Sequence, residues 1–213
     1  MNATRILAIR HGETAWNVAT RIQGQLDIPL NETGRWQAGR MALALADEPI
    51  HAIYASDLLR ARETALALAD ATELPVLSEE GLREREFGVF EGKTFAEIAA
   101  LWPEQSLRWR KRDPDFAPEG GESLLQFRQR VTHAVQTLAE RHRGELIALV
   151  SHGGVMDVLY RAATRQELQA PRTWALGNAA INRLLWTPQG LTLVGWADTT
   201  HLQDDESLDE TTA

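Results

Sequence analysis

The sequence predicts an α/β fold, because short apolar runs alternate along the chain with longer segments that carry apolar residues at helical spacing. The chain has 213 residues, of which 44% are hydrophobic and 24% charged, which suits one domain with its own core. We place this single domain at residues 1–202. Residues 203–213 are acidic and polar, and we expect them to form a flexible tail.

The first half of the chain predicts two strand–helix pairs and a further strand. Ile6–Ile9 is a run of four apolar residues, typical of a buried strand. Asn31 can cap a helix over residues 31–46, whose apolar residues recur on one face. The other predicted elements are a strand at 53–55, a helix from about 58 to 71, and a short strand at 74–77 that Pro75 places at a sheet edge.

The second half begins with an irregular segment, residues 82–121, whose glycines and prolines predict one or two short helices within a long excursion. From Glu122, apolar residues three or four apart predict a long helix that ends near Gly144. The remaining predicted elements are a strand at 146–150, a helix at 155–163, and a hairpin of strands at 179–186 and 191–196. The hairpin is a candidate surface for a homodimer.

Composition and charge exclude several classes of function. The formal net charge of -8 argues against nucleic acid or an anionic membrane as a partner, so a phosphate site must collect positive charge locally. The chain has no cysteine, which excludes disulfides and thiolate chemistry. The first apolar run is too short for a signal peptide, and no run approaches the roughly 18 residues of a membrane helix. We therefore expect a cytoplasmic enzyme.

Polar residues follow three of the predicted strands directly. Arg10 and His11 follow the first, a segment that includes Arg60 follows the second, and His152 follows the strand at 146–150. Ligands bind at the carboxyl ends of strands in open α/β sheets, so we expect these four side chains to share one pocket. A neutral imidazole can attack phosphorus, and arginine matches phosphoryl oxygens with a planar fork of donors. The set predicts phosphoryl transfer, with an acid from one of five glutamates between residues 79 and 91.

These motifs, in this order, resemble the signature of the histidine phosphatase superfamily, in its phosphoglycerate mutase-like branch. The resemblance spans residues 5 to about 197 and implies a three-layer α/β/α sandwich with a mostly parallel sheet, without a metal or an organic cofactor. It rests on Arg10-His11-Gly12-Glu13-Thr14, Ser56-Asp57-Leu58-Leu59-Arg60, Leu82-Arg83-Glu84, Pro118-Glu119-Gly120-Gly121-Glu122-Ser123 and Ser151-His152-Gly153-Gly154.

The resemblance also implies a role for each residue of the site. His11 would be the nucleophile that becomes phosphorylated. Glu84 would protonate the leaving group and then activate water, as microscopic reversibility requires. The residues that would hold the phosphoryl oxygens are Arg10, Arg60 and His152, and those that would line the phosphate and substrate side are Asn17, Gln23 and Gly24.

The same residues serve phosphatases and cofactor-dependent phosphoglycerate mutases. Trp109-Arg110-Lys111 lies near the place of a basic pair in mutases. Against a mutase, the chain between Pro114 and Glu122 is too short for the mutase insertion, and an open pocket admits water to a phosphohistidine. Gly154, Phe87 and Phe95 also replace an asparagine, a tyrosine and a lysine of mutases. The sequence favours a phosphomonoester hydrolase of a small phosphorylated metabolite, with a mutase as the alternative and a non-catalytic phospho-ligand binder less favoured.

Two further expectations concern the surroundings of the site. Arg60 has an alternative role, because it could pair with Asp57 or Glu63 on its own helix. The aromatic residues expected to form an apolar wall for the alcohol part of the substrate are Trp102, Phe116 and Phe95.

Overall fold

A six-stranded sheet lies at the centre of the computed structural model, which describes residues 3–203. Its strands are β1 (Thr4–Arg10), β2 (Ala52–Ala55), β3 (Val76–Ser78), β4 (Leu146–Ser151), β5 (Ile181–Thr187) and β6 (Gly190–Asp198). The strand order is β3-β2-β4-β1-β5-β6. β1 to β4 pair in parallel, and the β5–β6 hairpin joins antiparallel beside β1. The mostly parallel sheet, its edge strand β3 and the hairpin are therefore confirmed.

Seven α-helices are described between residues 3 and 203. They are α1 (Ala15–Val18), α2 (Glu32–Leu45), α3 (Leu59–Thr72), α4 (Phe95–Leu101), α5 (Pro103–Arg110), α6 (Leu124–Arg141) and α7 (Gly153–Thr164). None of the described helices is both long and apolar enough to cross a membrane. The predicted acidic tail lies outside the described residues, apart from Gln203.

The helices cover both faces of the sheet. Successive side chains of a strand point to opposite faces, and β1 shows this alternation. Leu7 and Ile9 pack in a core with residues of α2 and α3, whereas Ile6 and Ala8 pack in a second core with residues of α6 and α7. The predicted three-layer α/β/α sandwich is confirmed.

Local hydrogen bonds fix where the helices begin. Asn31 caps α2 by accepting from the backbone N–H of Gly34 at 2.7 Å, as predicted. Ser123 caps α6 in a capping box with Gln126. Helix α7 begins at Gly153, two residues before the predicted start, so His152 occupies its N-cap position. This places the end of β4 and the start of α7 directly next to each other.

The excursion after β3 contains α4 and α5, which confirms the prediction of one or two short helices. Its apolar residues form a third core of Phe90, Ile98 and Phe116, with Trp102 and Trp109 packed against it. The excursion is therefore a packed structure that can hold side chains at fixed positions beside the sheet.

Candidate active site

A cavity of about 670 Å³ lies at the carboxyl ends of the parallel strands. Arg10 is the last residue of β1, and His152 follows β4 directly. Arg60 belongs to the first turn of α3, which follows β2. The cavity is lined by Arg10, His11, Arg60 and Glu84, and by the glycines at the start of α7. The structure thus brings together the residues that follow three separate strands.

His11 is 3% exposed, and its ring is oriented by its own loop. Nδ1 lies 2.7 Å from the carbonyl oxygen of Gly12. A carbonyl oxygen can only accept, so Nδ1 carries the ring hydrogen and Nε2 keeps its lone pair. Burial, followed by the nearby charges of Arg60 and Arg10, holds the pKa of His11 well below 6.5. The side chain is therefore a neutral imidazole with Nε2 available as a nucleophile.

Arg60 is 1% exposed and is held by backbone carbonyls. It donates to the oxygens of Gly24 at 2.7 Å and Leu26 at 2.9 Å. The suggested pairing with Asp57 or Glu63 is wrong, because Asp57 binds Arg83 and Glu63 accepts from the backbone N–H of Leu30 at 2.9 Å. Burial lowers the pKa of Arg60 to about 10, so it remains charged at neutral pH.

His152 lies against His11, with 5.3 Å between the ring centroids. Its Nε2 lies 2.8 Å from the hydroxyl oxygen of Ser56, which also accepts from the N–H of Leu58 at 3.3 Å. With the hydroxyl hydrogen of Ser56 on Nε2, Nδ1 carries the ring hydrogen and can donate to a phosphoryl oxygen. Burial, followed by the charge of Arg60, lowers the pKa of His152 well below 6.5.

Three buried nitrogens of this group have no hydrogen-bond partner among residues 3–203. They are Nε of Arg10, Nε of Arg60 and Nδ1 of His152. Buried polar atoms are normally paired, so such a cluster calls for a ligand or ordered water. All three can donate, and two carry positive charge, which suits the oxygens of a phosphoryl group.

Glu84 is the one glutamate of residues 79–91 that lines the described cavity. Its Oε2 accepts from the N–H of Gly154 at 2.9 Å, and its Oε1 accepts from the N–H of Arg85 at 2.8 Å. A Cβ at Gly154 would lie 2.1 Å from Oε1, so the glycine makes room for the carboxylate. Three of the other glutamates bind elsewhere, Glu79 to Gly81, Glu80 to Arg83, and Glu91 to Gln25 and Phe87.

Asn17, Gln23 and Gly24 all line the cavity, as the resemblance implies. Asn17 Oδ1 accepts from the N–H and the hydroxyl of Thr14, both at 3.0 Å, which leaves its amide hydrogens for the cavity. Gly24 has a φ of +51°, and a Cβ there would lie 2.0 Å from Oε1 of Glu91. Only glycine fits at this position without strain, and the loop that supplies a carbonyl to Arg60 depends on it.

Two residues that position the site were not predicted from the sequence. Arg130 of α6 donates to the carbonyl oxygens of Gly81 and Arg83 at 3.0 Å and of Glu84 at 3.2 Å, so it fixes the backbone that carries the acid. Asn178 donates to the carbonyl oxygen of His11 at 3.0 Å. These contacts join residues 46 to 167 positions apart, and no local sequence pattern signals them.

The predicted apolar wall is correct for one residue of three. Phe95 lines the cavity, together with Trp16, Phe87 and Trp109. Trp102 and Phe116 do not line it. They pack against the buried ring of Phe90, with centroid separations of 5.5 and 6.2 Å, and so belong to the core behind the wall.

Farther along α7, Asp157 forms a buried charge cluster at the cavity. Its Oδ2 accepts from Arg112 at 2.6 Å and from Arg161 at 3.0 Å. Arg161 is 2% exposed, so loss of this carboxylate would leave a buried charge without its ion-pair partner. Among residues 3–203, no group of three or more histidine, aspartate and glutamate side chains is arranged to hold a metal ion.

The chain is similar to known proteins over nearly its whole length. A family model for the histidine phosphatase superfamily (branch 1) matches residues 6–199. Two proteins of Arabidopsis thaliana are similar: phosphoglycerate mutase-like protein 4, 39% identical over 93% of this chain and 87% of its own, and metal-independent phosphoserine phosphatase, 38% identical over 93% and 83%. The solved structure of mycobacterial glucosyl-3-phosphoglycerate phosphatase matches with a TM-score of 0.83 and 34% identity, covering 92% of this chain and 100% of that one.

Proposed function

Because the chain belongs to the histidine phosphatase superfamily, we propose that it hydrolyses small phosphomonoesters through a phosphohistidine formed on His11. The protein is a phosphatase of small phosphorylated metabolites, in keeping with relatives named for phosphoserine and glucosyl-3-phosphoglycerate phosphatase activity. The observation that carries the mechanism is the neutral imidazole of His11, whose Nδ1 is bound to the carbonyl oxygen of Gly12, so that Nε2 keeps its lone pair.

In the first step, Nε2 of His11 attacks phosphorus and the bond from phosphorus to the leaving oxygen breaks. Arg10, Arg60 and Nδ1 of His152 stabilise the charge that builds up on the phosphoryl oxygens. Glu84 donates a proton to the leaving oxygen, so the alcohol departs neutral. The carbonyl of Gly12 keeps the hydrogen on Nδ1 of His11 and so stabilises the phosphorylated imidazole.

In the second step, Glu84 takes a proton from water as the water oxygen attacks phosphorus. The bond from phosphorus to Nε2 breaks, its electron pair returns to the imidazole of His11, and inorganic phosphate leaves. The same carboxylate thus serves as acid and then as base, and the enzyme returns to its starting protonation state.

Replacement of the nucleophile tests this mechanism. His11→Ala should lower phosphate release on the order of 10³-fold or more, while His133→Gln, which changes an exposed histidine of α6 outside the cavity, should behave as wild type. Acid-labile radioactive phosphate should remain on the wild-type protein after rapid quenching of a labelled substrate. Full activity of His11→Ala, or the same acid-labile label on that variant, would show that His11 is not the nucleophile.

A phosphoglycerate mutase is the second candidate function, favoured by the mutase names of several relatives. Incubation of 3-phosphoglycerate with 2,3-bisphosphoglycerate separates the two. A mutase would form 2-phosphoglycerate with little free phosphate, whereas the proposed hydrolase releases phosphate as the main product. Absence of both reactions on a broad metabolite panel would favour a phospho-ligand binder. A cytoplasmic location and a homodimer stay predictions from the sequence.

A further inference from the structure

The cavity is larger than a three-carbon phosphomonoester needs. Its volume of about 670 Å³ falls in the range of roughly 300–1,000 Å³ that is typical of pockets for drug-sized ligands. The phosphoryl group occupies only the end formed by His11, Arg10 and Arg60. Much of the remaining volume is therefore available to the leaving group.

An aromatic stack from the excursion after β3 forms part of the cavity wall. The rings of Phe95 and Trp109 lie nearly parallel, with 5.1 Å between centroids and 6° between planes. Trp109 in turn contacts the fully buried Phe90 at 5.5 Å and the edge of Phe87 at 5.8 Å. The stack thus runs from the core to Phe95, which is 56% exposed and lines the cavity.

Hydrogen bonds at the start of α4 hold Phe95 in position. Phe95 is the first residue of α4, and the preceding Thr94 forms a capping box with Glu97. Arg21 donates to Glu97 at 3.3 Å and to the carbonyl of Gly92 at 2.7 Å, which ties this turn to the loop that follows α1. An exposed aromatic ring that is already ordered loses little conformational entropy when a ligand packs on it.

We propose that Phe95, supported by Trp109, forms an aromatic shelf that stacks on a ring in the leaving group, so that the substrate is the phosphomonoester of a ring-bearing alcohol. The flat face can belong to an aromatic group or to the C–H face of a sugar, which share the shape and the apolar surface that the shelf recognises. This assignment rests on the proposed function, because it specifies the substrate class of the same site.

Matched substrates test the shelf without changing the chemistry of the leaving group. Ethyl phosphate and 2-phenylethyl phosphate both release a primary alcohol, and glucose 6-phosphate supplies the sugar ring. We expect kcat/KM for at least one ring-bearing substrate to exceed that for ethyl phosphate. Phe95→Ala should lower this preference by about three- to tenfold, the contribution typical of an aromatic contact.

Leu101→Ala is the matched control, because Leu101 lies on the same helix, is 57% exposed and does not line the described cavity. It should keep the wild-type preference, and Phe95→Leu should retain an intermediate one. If Phe95→Ala loses the preference for 2-phenylethyl phosphate, the leaving group of the natural substrate is aromatic. If Phe95→Ala loses the preference for glucose 6-phosphate, that leaving group is a sugar. No preference in wild type, or the same preference in wild type and Phe95→Ala, overturns the proposal.

A binding measurement separates failure of this inference from failure of the proposed hydrolase. 3-Phenylpropylphosphonate and propylphosphonate replace the ester oxygen of 2-phenylethyl phosphate and ethyl phosphate by a CH2 group, so they cannot be hydrolysed, and their affinities for the intact protein can be compared by calorimetry. Tighter binding of 3-phenylpropylphosphonate, lost in Phe95→Ala, supports the shelf even if no phosphate ester is hydrolysed. Equal affinities overturn the shelf even if the hydrolase activity is confirmed.

Discussion

Replacement of His11 by glutamine should make the fold less sensitive to acid. His11 and His152 both have a pKa held well below 6.5 in the folded protein, mainly by burial, whereas a histidine in an unfolded chain has a pKa of about 6.5. Below that pH, the unfolded chain binds protons that the folded protein does not. The free energy of unfolding therefore falls as pH drops below 6.5, and the full contribution of both histidines is present only above it.

The magnitude follows from the unfolded-state pKa, provided that both rings stay neutral in the folded protein. Between pH 7.5 and 5.5, each such histidine lowers the free energy of unfolding by about 1.4 kcal/mol. The pair should contribute about 2.7 kcal/mol to the wild-type loss, and His11→Gln should remove about half of it. Burial also lowers the pKa of His201, but that contribution is common to both proteins and cancels in the comparison.

Urea unfolding at pH 7.5 and 5.5 gives the two free energies by linear extrapolation. The quantity compared is the loss between the two pH values, so any change in stability that is independent of pH drops out. His133→Gln is the control for removal of a histidine outside the site. If wild type and His11→Gln lose the same free energy between these pH values, His11 is not held neutral in the folded state and the stated basis of its nucleophilicity is refuted.

Two substitutions test other parts of the site. Glu84→Gln should lower kcat/KM, which reports the first step alone, by about 10²–10⁴-fold on alkyl phosphates, and less on p-nitrophenyl phosphate, whose leaving group needs no proton. Equal losses of kcat/KM on both substrates would rule out Glu84 as the acid. Asp157→Ala should lower the free energy of unfolding by about 3–5 kcal/mol in urea, because Arg161 would keep a buried charge without its carboxylate. Glu48→Ala breaks the more exposed pair with Arg183 and should lower the free energy of unfolding by at most about 1 kcal/mol. Similar losses in the two variants would show that burial does not make the Asp157 ion pair more important than an exposed one.

The parts of the fold that the sequence predicted are those set by local chemistry. The cap at Asn31 and the apolar run of β1 depend on neighbouring residues only, and both were predictable. The candidate site followed from a topological rule, because residues that follow parallel strands meet at one edge of the sheet. His11 and His152 therefore lie side by side although 141 positions separate them in the sequence.

The parts that the sequence did not predict depend on the orientation of residues in the excursion. Trp102 and Phe95 are both large and apolar and lie seven residues apart, so the sequence does not distinguish which of them lines the cavity. The bend between α4 and α5 turns Trp102 toward Phe90 and leaves Phe95 at the cavity. Arg130 is a similar case, since its partners in residues 81–84 become known only once α6 is packed on the sheet.

The electrostatics of the site explain how a protein of net charge -8 can bind a phosphoryl group. Arg60 is buried and Arg10 is partly buried, and the loss of solvation lowers the pKa of both. Their unpaired Nε atoms add to this cost. A phosphoryl group supplies both the negative charge and the hydrogen-bond acceptors that the two arginines lack. The negative charge that develops on its oxygens during transfer strengthens the ion pairs and the hydrogen bonds. Since the donors are already in place, little reorganisation is needed in the transition state, which is how such a site accelerates phosphoryl transfer.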